Sequence, residues 1–484
     1  MSKKKKYLLF FAILNYSIIF FVISPLYIGP DDSFYCDLGR HLHEDHQYTS
    51  NFEETNNPPG LPYLLAFFMF FFNEEISMKI VISLSLFLLF YGMYFLGKEI
   101  YNEKCGYLTA FLTMTMPLIS MHSLRILTDV PFLSFSVLMM LFFVRIVKNN
   151  DRNKNLLYSL VLGVLMWVSF SIRNTGILFI EMMFIFSFCL YIFKKNKSIF
   201  YLILSSLIFL SFFLIKIPGN NFEYCKSLIL AFLGKGSVGE NRLHETSGFL
   251  ISDITKKLNE INAPIQVLYF TQIIFMLLRW IFLPAMIVFL YKLYKNFKER
   301  KEFEILMILW IIIFVSFYTF VFHIFIRPRD LIPIIPPFII LFSIYLIENI
   351  GKQRIAIILL AIHLIASPFA IYRSVDYVGE YKTETYIDAC EWLNENSNAE
   401  DIFVSMGITP RIIHYYTERK VYSFRNQNKD FFLENKIKYF IISNYQENRY
   451  DWDYLKENLT LVKRYDDNKF FVEIYKINIH NTNS

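Results

Sequence analysis

Charge is scarce in this chain. Asp, Glu, Lys and Arg make up 19% of 484 residues, against 55% hydrophobic and 19% aromatic, with 53 Phe. A soluble protein of this length carries more charge and rarely so many apolar runs of spanning length. Cysteine is scarce as well. Cys36, Cys105, Cys189, Cys225 and Cys390 show no paired spacing and no CxxC, so neither a zinc site nor a disulfide framework is indicated. No GxGxxG follows a strand and no GxxxxGK[ST] occurs, which argues against a nucleotide-binding domain. There is no internal repeat and no low-complexity linker. The net charge of +6 is no nucleic-acid signal, because the basic residues sit in short loops between apolar runs.

What is present is a polytopic membrane pattern. Lys3 to Lys6 precede apolar Tyr7 to Ile28, a stretch too long for a signal peptide and lacking a small-residue cleavage site, hence an uncleaved signal anchor. Candidate spans are 7–29, 77–97, 106–124, 129–147, 156–172, 175–193, 198–217, 269–291, 305–326, 331–348 and 354–372. The connections Lys98–Lys104, Arg145–Lys154, Lys194–Lys197, Lys292–Lys301 and Lys352–Arg354 are basic and alternate with others that are poor in Lys and Arg, or long. The positive-inside rule places the N-terminus and all basic connections in the cytoplasm. About 11 transmembrane helices then leave the C-terminus outside. Leu61–Phe72 is apolar but short, and parity of crossings makes it an interfacial helix.

Outside the spans, the loop Pro218–Gln266 is long enough to be functional. From about Tyr381 the composition becomes that of a soluble domain. Thr385–Glu395 reads as a helix, Asp401–Met406 and Lys436–Ser443 as strands, and Leu459–Lys476 as a hairpin turning at Asp466-Asp467-Asn468. The expected organisation is a membrane domain over 1–375, with outer loops 30–60 and 218–266, and a small extracytoplasmic α/β domain over 376–484.

Polar residues are unevenly placed in this topology. Asp31, Asp32, Arg40, His41, Arg125, Asp129, Arg173, His323, Arg327 and Arg329 all fall at outer ends of spans or in outer loops. A channel or pump would distribute polar groups through the membrane depth, where Glu181 and His363 are the main candidates. Acids beside arginines at one membrane face instead suit chemistry on a lipid phosphate. Guanidinium forks recognise phosphate, and a carboxylate takes a proton from a hydroxyl. Glycosyl transfer from a lipid-phosphate sugar needs both functions and no nucleotide site.

At these residues the chain resembles the GT-C class of polyprenyl-phosphate-sugar-dependent glycosyltransferases. The nearest branch is that of dolichyl-phosphate-mannose protein mannosyltransferases, aminoarabinose transferases and Rgt-type lipopolysaccharide transferases. Asp31-Asp32-Ser33-Phe34-Tyr35 resembles the family's Asp-Glu-x-x-Tyr, and Leu38-Gly39-Arg40-His41-Leu42 the helix after it. Asn57-Pro58-Pro59-Gly60-Leu61-Pro62 resembles His/Lys-Pro-Pro-Leu-x-Pro, with Asn57 replacing the cation. Leu127-Thr128-Asp129-Val130-Pro131-Phe132 resembles the acidic motif heading the fourth span. Arg329-Asp330-Leu331-Ile332-Pro333-Ile334-Ile335-Pro336-Pro337 resembles Arg-Tyr-x-x-Pro-x-x-Pro-Pro, with Asp330 where an aromatic is usual. Arg173-Asn174-Thr175-Gly176 resembles a basic residue shortly before Thr-Gly.

The resemblance implies a GT-C fold in the plasma membrane and an inverting transfer of a mannose-like or other hexosyl or pentosyl group. The donor would be a polyprenyl- or dolichyl-phosphate sugar and the acceptor an extracytoplasmic protein, lipid or glycan. It implies Asp31 as base, with Asp32 and Asp129 as its catalytic partners. Arg329, Arg173 and Arg40 would bind donor phosphate, and Tyr35, Asn57 and His122 would line or support the acceptor site. No cofactor is required, and a divalent metal is possible without being indicated. His41, His43 and His46 are weak metal candidates, since spacing i, i+2, i+5 does not share one helical face. Plainer roles compete: helix capping for Asp31 and Asp129, snorkelling for Arg329 and Arg173, interfacial anchoring for Arg125 and Arg327. Asp451-Trp452-Asp453-Tyr454 resembles the oligosaccharyltransferase Trp-Trp-Asp-Tyr-Gly but lacks its first Trp and its Gly, and reads as coincidence. A lipid-linked-sugar translocase or exporter, and a catalytically inactive scaffold, are the alternative functions.

Overall fold

The computed structural model describes residues 10, 13–18, 21–22, 29–51, 53–55, 57–213, 302–320, 328–349, 384–406, 410–424, 429–443, 453–466 and 471–478. Residues 13–18 are helical, and helix α1 (Pro30–Glu44) follows, then the short antiparallel pair β1 (Thr49–Ser50) and β2 (Glu53–Glu54). Then follow α2 (Gly60–Met69), α3 (Glu74–Ile100), α4 (Glu103–Met114), α5 (Pro117–His122), α6 (Asp129–Lys148), α7 (Arg152–Ile172), α8 (Ile177–Lys194) and α9 (Ser198–Phe213). Beyond them lie α10 (Glu302–Phe320), a 3-10 turn at Pro328–Ile334 and α11 (Ile335–Asn349). Among the described residues, six helical stretches are long and apolar enough to cross a membrane. Spans 269–291 and 354–372, the loop 218–266, His323, Arg327 and His363 lie outside the described residues.

The helices start where the sequence supplies caps. Asn73 accepts from the Ile76 amide at the head of α3, Asn102 from Cys105 at α4, and Asp151 from Asn153 at α7. Helix α6 packs on α3 and α7, and α3 packs on α4. Close approach of α3 and α4 depends on Gly97 and Gly106. A Cβ on Gly106 would collide with the Tyr94 carbonyl, and one on Gly97 with Thr109 Oγ1. Small residues let apolar helices meet without a hydrophobic driving force.

The expected span 106–124 is not one helix. It breaks at Thr115 and Met116 and restarts at Pro117, which has no amide hydrogen to continue the ladder. That break turns α5 aside and sets His122 at its end. The interfacial segment forms α2. It buries Leu61, Leu65, Ala66 and Met69, and leaves Tyr63 and Phe67 exposed, continued by exposed Phe70, Phe71 and Phe72. An aromatic outer face over a packed inner face suits a helix lying at a membrane surface. Glu181 lies exposed on α8 rather than inside the bundle.

The C-terminal residues build a five-stranded sheet. In chain order it holds α12 (Glu384–Asn396), β3 (Ile402–Met406), α13 (Pro410–Thr417), β4 (Val421–Ser423), α14 (Lys429–Glu434), β5 (Ile437–Ser443), a 3-10 turn (Asp453–Asn458), β6 (Leu459–Asp466) and β7 (Phe471–Ile477). The order is β4-β3-β5-β7-β6, parallel among β4, β3 and β5 and antiparallel at β7 and β6. Alternation along β3 and β5 feeds two cores. Phe403, Tyr439 and Ile441 pack with Leu393 of α12 and Ile413 of α13, whereas Val404, Phe440 and Ile442 pack with Phe432. Helix α13 also packs on α1, which brings the sheet unit to the helix that carries Asp31.

Candidate active site

The site begins with the first turn of α1. Gly29 stands in extended conformation before Pro30, and Pro at the first position with acids behind it favours a helix start. The two adjacent acids then separate. Asp32 turns inward, fully buried, and accepts from the Gly29 amide at 3.0 Å and from Arg125 Nε at 3.0 Å, with Arg125 Nη2 closer still. Its other oxygen, Oδ1, makes no hydrogen bond among the described residues. Asp31 turns outward with its side chain 34% exposed. Its Oδ2 accepts from Arg329 Nη1 at 2.6 Å, and its Oδ1 from Arg411 Nη1 at 3.4 Å. The capping bond therefore belongs to Asp32, and Asp31 is left partly open to solvent.

A second group lies beside the first. Behind Thr128, which stands at the N-cap without a side-chain cap bond, Asp129 opens α6. Its Oδ1 takes a 2.5 Å bond from Arg173 Nη1. Arg173 sits in extended backbone between α7 and the turn Asn174–Gly176, and its Nη2 donates to Asp330 Oδ1 at 2.6 Å. One guanidinium thus spans two buried acids, and it lies over the Phe132 ring at 6.0 Å. His122 Nδ1 is 3.7 Å from Asp129 Oδ2, and neither ring nitrogen makes a hydrogen bond among the described residues.

Tyr35 joins the two groups. Burial pushes its hydroxyl pKa up, and the nearby Asp31 carboxylate pushes it further, while Arg329 and Arg173 pull the other way. It therefore stays a neutral donor at neutral pH. Backbone close approach holds the assembly together: a Cβ on Gly60 would come within 2.7 Å of the Ile172 amide, so α2 abuts the end of α7 just before Arg173.

Asp31, Asp129, Arg173, Arg329, Tyr35 and His122 are thus brought together, and three expected residues stand apart. Arg40 is nine residues further along α1, about 13 Å of helix rise from Asp31. It is held by Glu74 at 3.1 Å and Glu418 at 3.0 Å and stacks on Tyr415. Asn57 Nδ2 donates to Thr55 Oγ1, and its carbonyl accepts from the Tyr48 hydroxyl, contacts that shape the approach to α2. Asp32 is fully buried behind Arg125.

The three candidate metal histidines diverge. His43 packs edge-on against Phe70, and His46 turns back with positive φ toward the Leu42 carbonyl. His41 instead meets Asp37 and Asp45. Sequence reasoning also missed partners. Arg125, expected as an interfacial anchor, neutralises Asp32 across 93 positions, and Arg411 reaches Asp31 across 380. Asp330, a departure from the family pattern, gains its meaning from Arg173.

Residues 56–216 match the family described as dolichyl-phosphate-mannose-protein mannosyltransferase. No curated protein matches the chain. Among solved structures, ArnT from Cupriavidus metallidurans bound to undecaprenyl phosphate superposes with a TM-score of 0.65 at 12% identity, covering 99% of each chain. The fold is that of the GT-C glycosyltransferases. The Archaeoglobus fulgidus oligosaccharyltransferase, in complex with Zn and sulfate, matches with a TM-score of 0.62 at 15% identity, over 90% of this chain and 67% of that one. The archaeal oligosaccharyltransferase AglB with an inhibitory peptide and a dolichol-phosphate matches at 0.56 and 12% identity, over 91% of this chain and 70% of that one. The six long apolar helices among the described residues are those of an integral membrane protein.

Proposed function

We propose that this protein transfers one sugar from a polyprenyl-phosphate carrier to an acceptor hydroxyl on the extracytoplasmic face of the membrane, with inversion at the anomeric carbon. The observation that carries the proposal is the pairing of a half-exposed carboxylate, Asp31, with arginines from two distant elements, next to a second acid–arginine group. The mannosyltransferase family match and the polyprenyl- and dolichol-phosphate ligands of the structural relatives support the donor class.

The acceptor hydroxyl loses its proton to Asp31 as its oxygen bonds to the anomeric carbon. The bond from that carbon to the carrier phosphate breaks, and the phosphate departs with the electron pair. Arg329 and Arg173 are the cations that receive it, since a guanidinium presents five donors in a fork matched to phosphate. Arg329 Nη1 lies 2.6 Å from Asp31 Oδ2, so the cation proposed to meet the phosphate stands directly beside the proposed base. Asp129 and Tyr35 orient sugar or acceptor hydroxyls, and His122 borders Asp129.

Purified protein with a polyprenyl-phosphate sugar tests this directly. Asp31→Asn lowers transfer by about 10²–10⁴, the usual worth of a positioned general base. Near-normal transfer by a folded variant would remove Asp31 from that role. Arg329→Ala mainly weakens donor binding, and unchanged donor affinity would refute its contact with the phosphate.

A further inference from the structure

The C-terminal half of α1 holds a second group of ligating side chains that the transfer reaction does not use. Asp37 and His41 are one helical turn apart on the same face. His414 of α13 is set against them from the sheet unit. One ligating atom from each of the three residues falls within 4.8 Å of the others. Asp37 Oδ1 lies 3.5 Å from His41 Nε2, and Asp37 Oδ2 lies 3.2 Å from His414 Nε2. Each of these two separations, taken to its own carboxylate oxygen, is near the ~3.4 Å ligand–ligand spacing expected around a metal with bonds of about 2.1 Å.

Both imidazoles are oriented from behind. His414 Nδ1 is 2.8 Å from the Arg419 carbonyl, which can only accept, so Nδ1 carries the hydrogen. His41 Nδ1 is 3.0 Å from the Asp45 carboxylate, which also accepts. In the neutral rings both Nε2 atoms then present lone pairs toward Asp37. The Asp37 carboxylate thus lies between the two Nε2 atoms, Oδ1 toward His41 and Oδ2 toward His414. Asp37 is 2% exposed, and its Oδ2 is sealed from solvent with no donor reaching it in good hydrogen-bond geometry. Histidines held through Nδ1 by a carbonyl or carboxylate are the usual arrangement behind a bound zinc ion. The neighbouring cation, Arg40, is already answered by Glu74 and Glu418.

We propose that Asp37, His41 and His414 bind a Zn²⁺ ion that fastens α13 of the sheet unit to α1. Two histidines and a carboxylate suit zinc, with the His41 side, about a fifth exposed, leaving the fourth position to water. The ion has a structural task. Arg411 lies three residues before His414 on α13, so a fixed His414 fixes the reach of Arg411 to Asp31. Zinc at one end of α1 thereby sets the electrostatics at the other.

A proton is the competing occupant. Burial opposes a charge on His414, yet Asp37 overrides it and raises the imidazole above its ordinary value. The full-length protein in detergent, stripped of metal and dialysed against Zn²⁺, separates the two. Metal analysis is expected to find about one Zn²⁺ per chain. Asp37→Asn and His414→Gln lose it, and a chelator lowers the Tm of the wild type but not of the variants. Because these two positions are buried, Asp45→Asn supplies a variant on an exposed residue. Removing its support behind His41 weakens zinc affinity about 10–100-fold with the fold kept. Co²⁺ substituted into the wild type gives tetrahedral absorption bands. Zinc content equally low in wild type and variants, zinc kept by all of them, or an affinity unmoved by Asp45→Asn would each overturn the proposal.

Discussion

The two ends of α1 use the same chemistry for different purposes. At the N-terminal end Asp31 is 34% exposed and shares its oxygens between Arg329 and Arg411, which come from other parts of the chain. At the C-terminal end Asp37 and His414 are almost wholly buried, and Arg40 is locked between Glu74 and Glu418. Exposed pairs exchange partners at little cost, whereas breaking a buried pair leaves an uncompensated charge. In the proposed reaction the open end receives the carrier phosphate, while the closed end holds elements together. Asp32 shows that the division is set by direction and not by position in the sequence. One residue after Asp31, it belongs to the closed class.

This contrast can be strained by substitution. The largest stability effect is expected at Asp32. Asp32→Ala abandons the part-buried Arg125 and removes the bond to the Gly29 amide, costing about 3–5 kcal/mol, read as a lowered Tm in detergent. A Tm within a degree or so of wild type would move Asp32 out of the structural class. Arg411→Ala is expected to cost less. It frees one Asp31 oxygen at a 3.4 Å contact and leaves the fold intact, so the effect appears in acceptor KM or transfer rate while Tm holds. If Tm fell as far as in Asp32→Ala, Arg411 would be a structural tie. The smallest effect belongs to Glu418→Gln. Its side chain is 68% exposed, so its bond to Arg40 is worth under about 1 kcal/mol, and chemical denaturation should barely detect the change.

Much of the site was legible from sequence, for a physical reason. Asp31, Asp129, Arg173 and Arg329 stand where apolar runs meet water, and charge there is costly enough to require a purpose. Their order along the chain also matched a known pattern. The strands at 402–406 and 437–443 were visible as short apolar runs between polar residues. Partnership was not legible. Arg411 is not singled out in the sequence, and only the packing of α13 on α1 brings it to Asp31. Arg40 carries the right charge in the right motif, but Glu74 and Glu418 claim it. The run 106–124 has the composition of one span, and its break at Pro117 depends on a single missing amide hydrogen. The metal candidates taken from spacing alone shared only His41 with the group that the fold assembles.

The central claim is that Asp31, and not its neighbour, performs proton transfer in a reaction with lipid-phosphate sugar. Single-turnover transfer by purified Asp31→Asn, with donor binding and Tm measured on the same preparation, tests it most directly. The expected result is a rate lower by about 10²–10⁴ with donor still bound and Tm retained. A rate near wild type, with donor bound and the fold intact, would contradict it.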